Sequence, residues 1–406
     1  MSPDGPLKGV RVLDFTHVLG GPFTTMLLGD LGAEVVKIEP PGRGDSTRLS
    51  GPPFQKGESA YFMCVNRNKK SICVDLKKEE GRELIRRMVK HFDVVVESFR
   101  PRVMVKLGLH YEEMKKIKPD LIYASLSAFG SQGPYREKPG FEFIVQSLTG
   151  LVSVTTEPGR PPSKIQIQVV DLCAGMFLTL AVLGALYHRK GTGQGQKVEV
   201  SLLESTVAML ANLAGIYFMT GKVPLGMRTR NPQVMPSQAF RTKDSYVALV
   251  TQPQHWEKFC QALDKPEWIN DPDLSSGAYR VAHYDEVEAL IEGVISTRST
   301  GEWLERFEKY EIAAGPINTV EEFFQHPLVE ALRLVHTVEH PRAGQVKLLR
   351  QPWNLTTTPG GVRLPPPVLG QHTFEVLAEM GLSHGQQESL KRKGVIYGVE
   401  KDPSRR

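Results

Sequence analysis

Short hydrophobic runs alternate with amphipathic segments through the first half of the chain. Runs at 9–15 and 33–39 predict two strands, and positions 23–31 between them predict a helix that follows Gly20-Gly21-Pro22 and ends at Gly32. A strand, a turn, a helix and a strand within about 30 residues are typical of a right-handed βαβ unit with parallel strands.

The alternation continues beyond this first unit. Further runs predict strands at 71–76, 93–99, 121–129 and 196–200, with an amphipathic helix over 79–92. Strands and helices in this order indicate the α/β class, with a Rossmann-like, doubly wound sheet in the larger domain.

Two apolar segments follow this pattern. Positions 172–187 hold sixteen residues without a charge, fewer than the roughly 20 that cross a bilayer, so they predict a buried helix and no membrane association. Positions 202–219 predict a second apolar helix, which ends the first domain.

A segment of linker composition at 221–236 and a hairpin at 239–250 then indicate a smaller α+β domain. Its helices are predicted at 254–263, 285–295 and 300–309; strands at 335–339 and 345–349 and a helix from 373 follow.

Composition narrows the functional classes. The chain has 406 residues, 40% of them hydrophobic, which predicts two or three compact domains. A net charge of +5 suits a small anionic ligand and not nucleic acid. The N-terminus has no targeting pattern, and the four cysteines lack metal-type spacing, so we expect a reducing, cytoplasmic setting and no metal site. They are Cys64, Cys73, Cys173 and Cys260.

The turn at Gly20-Gly21-Pro22 and the acid Glu39 occupy the places of a dinucleotide-binding loop and its ribose-binding carboxylate. The spaced glycines of that loop are absent, however, which favours a tight turn before a helix whose N-terminus faces an anion. Basic residues follow several predicted strands, and Arg43, Arg100 and Arg102 could converge on a polyphosphate or remain solvated surface charges.

Asp171 stands between an apolar pair and an apolar helix, so we expect its carboxylate to be at least partly buried. Asp is a good N-cap residue, and capping alone would explain it. A catalytic role is the alternative, since a helix N-terminus favours the ionised form that a nucleophile needs.

Eight segments, taken in order along the chain, resemble the motifs of one protein family. They are 9–15, 21–22, 28–39, 66–71, 96–101, 130–134, 315–318 and 369–373. In this order and spacing they resemble the family III CoA-transferases, which include formyl-CoA transferase and carnitine CoA-transferase, over almost the whole chain.

The resemblance implies a large Rossmann-like domain made from 1–220 and 330–406, a linker and small domain at 221–329, and an interlocked homodimer. A hetero-oligomer with a paralogue is the alternative. The family's nucleophilic aspartate opens a helix and is followed by a small residue and glycine, which Asp171-Leu172-Cys173-Ala174-Gly175 matches. The resemblance therefore implies Asp171 as the catalytic nucleophile.

The implied reaction moves CoA from an acyl-CoA to a carboxylic acid through an aspartyl anhydride and an aspartyl-CoA thioester. Backbone N–H groups near Asp171 are expected to stabilise the oxyanions. CoA is a substrate here, and no permanently bound cofactor is expected. The implied CoA contacts are His17, Val18, Leu19, Arg43, Lys69, Lys70, Ser98, Phe99, Arg100 and Lys106.

Candidates for the substrate side are Phe141, Glu142, Lys138, Arg228 and Arg230. Segments 65–71 and 366–373 look most like the branch that uses succinyl-CoA and dicarboxylic acids. The glycine-rich loop that covers the active site in some relatives corresponds to 250–255, which has no glycine.

Two alternatives stay open. An α-methylacyl-CoA racemase would share the fold and the aspartate, but its histidine would follow Gly140, where this chain has Phe141. A non-catalytic CoA-binding subunit would not need Asp171.

Overall fold

The computed structural model describes residues 4–399, which form two compact units. The large unit comprises the described residues up to 151, residues 165–219 and those from 330 on; the small unit comprises 152–164 and 220–329. The sequence placed 152–164 in the large domain. They belong to the small unit because a Cβ at Gly226 would lie 2.1 Å from the Thr156 carbonyl oxygen, and Arg228 Nε lies 2.8 Å from Glu157 Oε2.

The strands are β1 Arg11–Phe15, β2 Glu34–Glu39, β3 Phe54–Gln55, β4 Glu58–Ser59, β5 Lys69–Val74, β6 Val94–Glu97, β7 Ile122–Ser127, β8 Lys197–Ser201, β9 Ser237–Arg241, β10 Tyr246–Val250, β11 Ala313–Pro316, β12 Val335–His340, β13 Gly344–Leu349 and β14 Ile396–Tyr397. The helices are α1 Gly20–Asp30, α2 Ala60–Cys64, α3 Glu79–Val89, α4 Pro101–Leu107, α5 Tyr111–Ile117, α6 Glu142–Leu148, α7 Leu151–Thr155, α8 Val169–Thr192, α9 Leu202–Met209, α10 Ala211–Thr220, α11 Trp256–Ala262, α12 Gly277–Ala282, α13 Tyr284–Ile295, α14 Thr300–Lys309, α15 Val320–Gln325, α16 Pro327–Ala331, α17 Thr373–Glu379 and α18 His384–Arg392.

The central sheet of the large unit has the strand order β14-β5-β2-β1-β6-β7-β8. All neighbours pair in parallel except β14, which is antiparallel to β5. The predicted α/β class with a mainly parallel sheet is confirmed. From β5 to β8 the strands follow the doubly wound order 3-2-1-4-5-6, whose switch point lies between β1 and β6.

Helix α8 carries the apolar segment that the sequence predicts to be buried. Only one face is buried, including Val170, Ala174 and Leu178 in the core that covers the sheet. The other face exposes Leu180 and Tyr187. By length and composition alone α8 could span a membrane, but this is weak evidence because its buried face packs on the sheet.

The second apolar segment is not one helix. α9 and α10 meet at an angle of 69°, and Ala211, the first residue of α10, has φ 21. The hydrophobic pattern runs through this break because both helices are apolar, so the sequence showed no boundary.

Two buried lysines and two buried aspartates form ion pairs beneath the loop after β1. Lys37 Nζ lies 3.0 Å from Asp45 Oδ2 and donates to the Thr16 carbonyl at 2.6 Å. Lys69 Nζ lies 3.2 Å from Asp14 Oδ2. Charges removed from water need such partners, so these pairs hold the end of β1 against β2 and β5.

A second buried pair links α1 to the start of β5. Arg67 donates to both carboxylate oxygens of Asp30, at 2.9 and 2.6 Å, and Asn68 Nδ2 donates to Asp30 Oδ1 at 2.7 Å. Asn68 also donates to the Gly361 carbonyl at 2.8 Å. The basic segment 66–71 therefore ties the sheet to α1 and to the returning C-terminal part of the chain.

In the small unit, an antiparallel sheet of order β11-β10-β9 supports a core that includes Trp303, Phe259 and Phe307. Helix α14 begins with a capping box between Ser299 and Glu302, as its sequence favours.

Replacing Arg67 tests the buried pair. We expect Arg67→Met to lower the free energy of unfolding by about 3 kcal/mol or more, because the Asp30 carboxylate stays buried without its cation. Urea unfolding followed by circular dichroism measures this. Lys116→Met, which removes an ion pair with Glu113 between exposed side chains, is the control and should leave the midpoint unchanged. Equal midpoints for both variants would contradict the assignment.

Candidate active site

The loop after β1 meets the loop after β6 at the carboxyl end of the sheet. This is the switch point, where doubly wound sheets bind their ligands. The main-chain N–H of His17 donates to Ser98 Oγ at 3.0 Å, and the rings of His17 and Phe99 lie 4.8 Å apart. Val18 follows at φ 70, a left-handed conformation that is strained for a β-branched residue. The two loops therefore hold one another in a defined shape.

Helices α1 and α8 approach closely at their N-terminal ends. A Cβ at Gly20 would lie 2.9 Å from the Asp171 carbonyl oxygen, and a Cβ at Gly175 would lie 2.7 Å from the Gly20 carbonyl oxygen. Thr24 Oγ1 joins the helices by donating to the carbonyls of Gly20 and Gly175, both at 3.1 Å. The sequence predicts a turn at Gly20; instead α1 begins there, and this contact brings Asp171 to the end of β1.

Glu142, the first residue of α6, occupies the N-terminus of α8. Its Oε1 accepts the main-chain N–H of Val170 at 3.2 Å, and its Oε2 accepts that of Asp171 at 2.8 Å. The N–H of Leu172 donates to the Gln168 carbonyl at 3.0 Å. All three of these N–H groups have acceptors, so they are not free to stabilise an oxyanion.

The protonation of Asp171 differs from the expectation. Burial, together with the charge of Glu142, raises the pKa of Asp171 to about 7. The helix N-terminus does not offset these effects because Glu142 accepts its N–H groups. Asp171 is consequently close to half ionised near neutral pH.

Two neighbouring groups are affected by the same environment. Burial and the nearby charge of Asp171 raise the pKa of Tyr61 to about 12, so this phenol stays protonated. Burial lowers the pKa of His17, so its imidazole is neutral near pH 7. The site thus contains neutral donors beside a carboxyl group that titrates in the physiological range.

Three cavities share lining residues around His17. The first, of about 120 Å³, contains Asp171; the second and third, of about 410 and 320 Å³, lie beside Phe99. The predicted residues that line them are Asp171, Glu142, Phe141, His17, Val18, Leu19, Ser98, Phe99, Arg100, Lys138 and Arg43. Arg43, Arg100 and Lys138 are exposed there, as an anionic ligand would require.

Five of the residues predicted to contact CoA or the acceptor acid do not line these three cavities. Lys69 is fully buried against Asp14, and burial lowers its pKa to about 8. Lys70 lies at the amino end of β5, with Nζ 3.1 Å from Glu379 Oε1. Lys106 is exposed in the last turn of α4 and is not among the residues that line the three cavities.

Arg228 and Arg230 belong to the small unit and are paired there. Arg228 Nε lies 2.8 Å from Glu157 Oε2, and Arg230 Nη2 lies 2.6 Å from Asp285 Oδ1 and close to Glu288. Both charges are therefore already balanced, which the sequence could not reveal because the partners are distant in the chain.

Sequence reasoning missed Tyr61, Gly20 as a contact residue, and Gln146. Tyr61 has no local signal, since it lies in the short helix α2. Gln146 lies four residues after Glu142 on α6, a spacing at which side chains meet, so that pair could have been found.

Among residues 4–399, no three His, Cys, Asp or Glu side chains are grouped so that they could hold a metal ion.

The family model described as CoA-transferase family III matches residues 7–373. The chain belongs to this family. The predictions of the family and of a family III CoA-transferase as the enzyme class are confirmed.

Relatives in this CoA-transferase family include a mouse protein named succinyl-CoA:glutarate CoA-transferase, 37% identical over 96% of this chain and 90% of its own length. A second, from Chloroflexus aurantiacus, is named succinyl-CoA--D-citramalate CoA-transferase and is 36% identical over 97% of this chain and 99% of its own. The crystal structure of a CAIB/BAIF family protein from Brucella suis superimposes with a TM-score of 0.82 at 34% identity, covering 93% of this chain and 100% of that one.

Removing the charge of Glu142 tests the origin of the Asp171 pKa. We expect Glu142→Gln to lower the pKa of Asp171 by about one unit, because a like charge beside a carboxylate disfavours its ionised form. The ¹³C carboxyl shift of Asp171, assigned by its loss in Asp171→Asn, should titrate near pH 7 in the wild type. Glu137→Gln, in the preceding loop, is the control. An unchanged midpoint in Glu142→Gln would show that burial alone causes the shift.

Proposed function

We propose that this enzyme transfers CoA from succinyl-CoA to a dicarboxylic acid, with Asp171 as the nucleophile. The main support is the position of Asp171. Its pKa is raised to about 7, and it lines the cavity at the switch point. The succinyl-CoA donor and dicarboxylic acceptor are proposed because relatives with these names cover nearly the whole chain.

The first half of the reaction makes a thioester on the enzyme. An ionised oxygen of Asp171 attacks the thioester carbonyl; the carbon–sulfur bond breaks, and CoA leaves as a thiolate. A thiol with a pKa of about 8 to 9 is a good leaving group. The thiolate then attacks the aspartyl carbonyl of the anhydride and releases succinate, leaving aspartyl-CoA.

The second half is the reverse with a new acid. The acceptor carboxylate attacks the aspartyl carbonyl, expels the CoA thiolate and forms a second anhydride. The thiolate attacks the acceptor's carbonyl in this anhydride, which releases the new thioester and the Asp171 carboxylate. Both intermediates hydrolyse in water, so the partial burial of Asp171 protects them.

Oxyanions in these steps need donors other than the start of α8. The first N–H groups of α1, from Gly20 and Gly21, have no acceptor within that helix and lie on the wall of the Asp171 cavity. We assign the oxyanion to this end of α1, with the neutral ring of His17 beside it.

The CoA chain would follow the loop of His17, Val18 and Leu19 and the loop of Ser98, Phe99 and Arg100, both of which line the cavities. Arg43 and Arg100 are the proposed phosphate partners. Lys69, Lys70 and Lys106 are not retained as contacts because of their positions. Lys138 is the proposed cation for the distal carboxylate of the acceptor, since Arg228 and Arg230 are paired.

A dimer is proposed from the exposed apolar surface of α8 and α10. Leu180 on α8 is 62% exposed, and Phe218 and Met219 on α10 are 80% and 89% exposed. Large apolar side chains exposed on both helices favour a protein interface. We propose that a second copy of the chain covers it, as the interlocked homodimer implied by the family would; a cytoplasmic location is likewise proposed.

Trapping tests the nucleophile. Incubation with succinyl-CoA and hydroxylamine should convert Asp171 to its hydroxamate, seen by peptide mass spectrometry as activity is lost. Asp171→Asn should lower kcat by about 10⁴-fold or more, because it removes the attacking group. Full transfer by this variant would refute the mechanism. Exchange of an α-proton into deuterated water without an acceptor acid would instead indicate a racemase.

An acceptor panel tests the substrate class. We expect succinyl-CoA to react with the dicarboxylates glutarate, citramalate, malate or mesaconate better than with carnitine, which has a single carboxylate. Lys138→Gln should raise KM for the dicarboxylate by about tenfold, because one charged hydrogen bond is lost. Arg228→Gln is the control and should leave KM unchanged. An increase in KM for succinyl-CoA alone would assign Lys138 to CoA and overturn its proposed role.

A further inference from the structure

Gln146 of α6 is fully buried and has its amide placed beside the Glu142 carboxylate. Its Nε2 donates to Glu142 Oε1 at 2.6 Å and to the Ile165 carbonyl at 3.3 Å, while its Oε1 accepts the N–H of Ile165 at 3.1 Å. The amide thus uses both of its N–H bonds and its oxygen. Gln146 does not line the cavity that contains Asp171, whereas Glu142 does.

These contacts have a directional consequence. Glu142 Oε1 accepts from Gln146 and from the N–H of Val170, and Glu142 Oε2 accepts the N–H of Asp171. The Glu142 carboxylate on α6 is joined to α8 by these two N–H hydrogen bonds. A further hydrogen bond to one of its oxygens fixes the orientation of such a carboxylate. Gln146 donates this further hydrogen bond to Glu142 Oε1. It also bonds Ile165, a few residues before α8 begins, and so joins that segment to α6.

We propose that Gln146 is a positioning residue for Asp171. It keeps Glu142 on the start of α8, so that the N–H groups there are occupied and the carboxyl group of Asp171 is directed to the cavity. This inference rests on the proposed function, because its consequence is the rate at which Asp171 attacks a thioester. Gln146 touches neither substrate nor reacting atoms, so it acts only through Glu142 and the start of α8.

Two substitutions separate this role from simple packing. Gln146→Met has a similar volume and removes both donors and the acceptor without adding charge. Gln146→Glu keeps the shape and can still donate to Glu142 when its new carboxyl group is protonated. When that group ionises, two carboxylates face one another, and Glu142 is driven from the start of α8.

The measured quantity is the rate of hydroxamate formation on Asp171 from succinyl-CoA in a single turnover, followed between pH 6 and pH 9. For Gln146→Met we expect a rate about 10 to 100 times below the wild type at every pH, with the Kd for CoA changed less than about threefold. For Gln146→Glu we expect the ratio to the wild type to fall by about tenfold or more as the pH rises. Ser147→Ala is the matched control, since that exposed hydroxyl bonds only the Phe143 carbonyl on the same helix.

The outcomes are distinguishable from those of the proposed function. If the wild type shows no hydroxamate on Asp171, the proposed function fails and this inference falls with it. If the wild type is trapped and both Gln146 variants react at the wild-type rate, the positioning role alone is overturned. Equal ratios at all pH values in Gln146→Glu, or loss of folding by both variants in circular dichroism, would likewise overturn it by assigning Gln146 to the stability of the fold.

Discussion

The close contact between α1 and α8 is the constraint on which the site depends. Gly20 and Gly175 lie at distances that leave no room for a Cβ, and Thr24 bridges their carbonyls. α1 follows the first strand of the doubly wound sheet, whereas α8 enters from a distant part of the sequence. Their contact therefore brings Asp171 to the sheet's switch point, and the buried pair of Lys37 and Asp45 holds the intervening loop.

Around Asp171, several N–H groups and charged side chains are already paired within the protein. Glu142 takes the N–H groups at the start of α8, and Lys69 is matched with Asp14 in the interior. Asp171 is consequently left among groups that disfavour its ionised form. The positive charges proposed for an anion are instead the exposed side chains of Arg43 and Arg100, which line the neighbouring cavities.

The sequence predicted the parallel strands from β1 to β8 because hydrophobic periodicity is a local property, but it did not predict the short helices α4, α5 and α6. The position of Asp171 between apolar segments indicated its partial burial, and the resemblance to a family gave it the role of nucleophile. The raised pKa reflects this burial and also the charge of Glu142, 29 residues away, which the sequence did not show to be beside it. Lys69 illustrates the opposite error. A lysine near a strand end looks like an anion ligand, and only the fold shows that Asp14 lies beside it in the core.

The raised pKa of Asp171 bears on the direction of the proposed exchange. In the mixed anhydride, a thiolate that attacks the aspartyl carbonyl expels the substrate acid, whereas attack on the substrate carbonyl expels Asp171. Attack on the substrate carbonyl must release the Asp171 anion, which burial and the charge of Glu142 disfavour, in line with its pKa raised to about 7. The same burial and like charge that slow the first attack at low pH thus favour transfer of CoA to the enzyme over return to the donor. An environment that disfavours the aspartate anion therefore favours the aspartyl-CoA intermediate on which exchange between two acids depends.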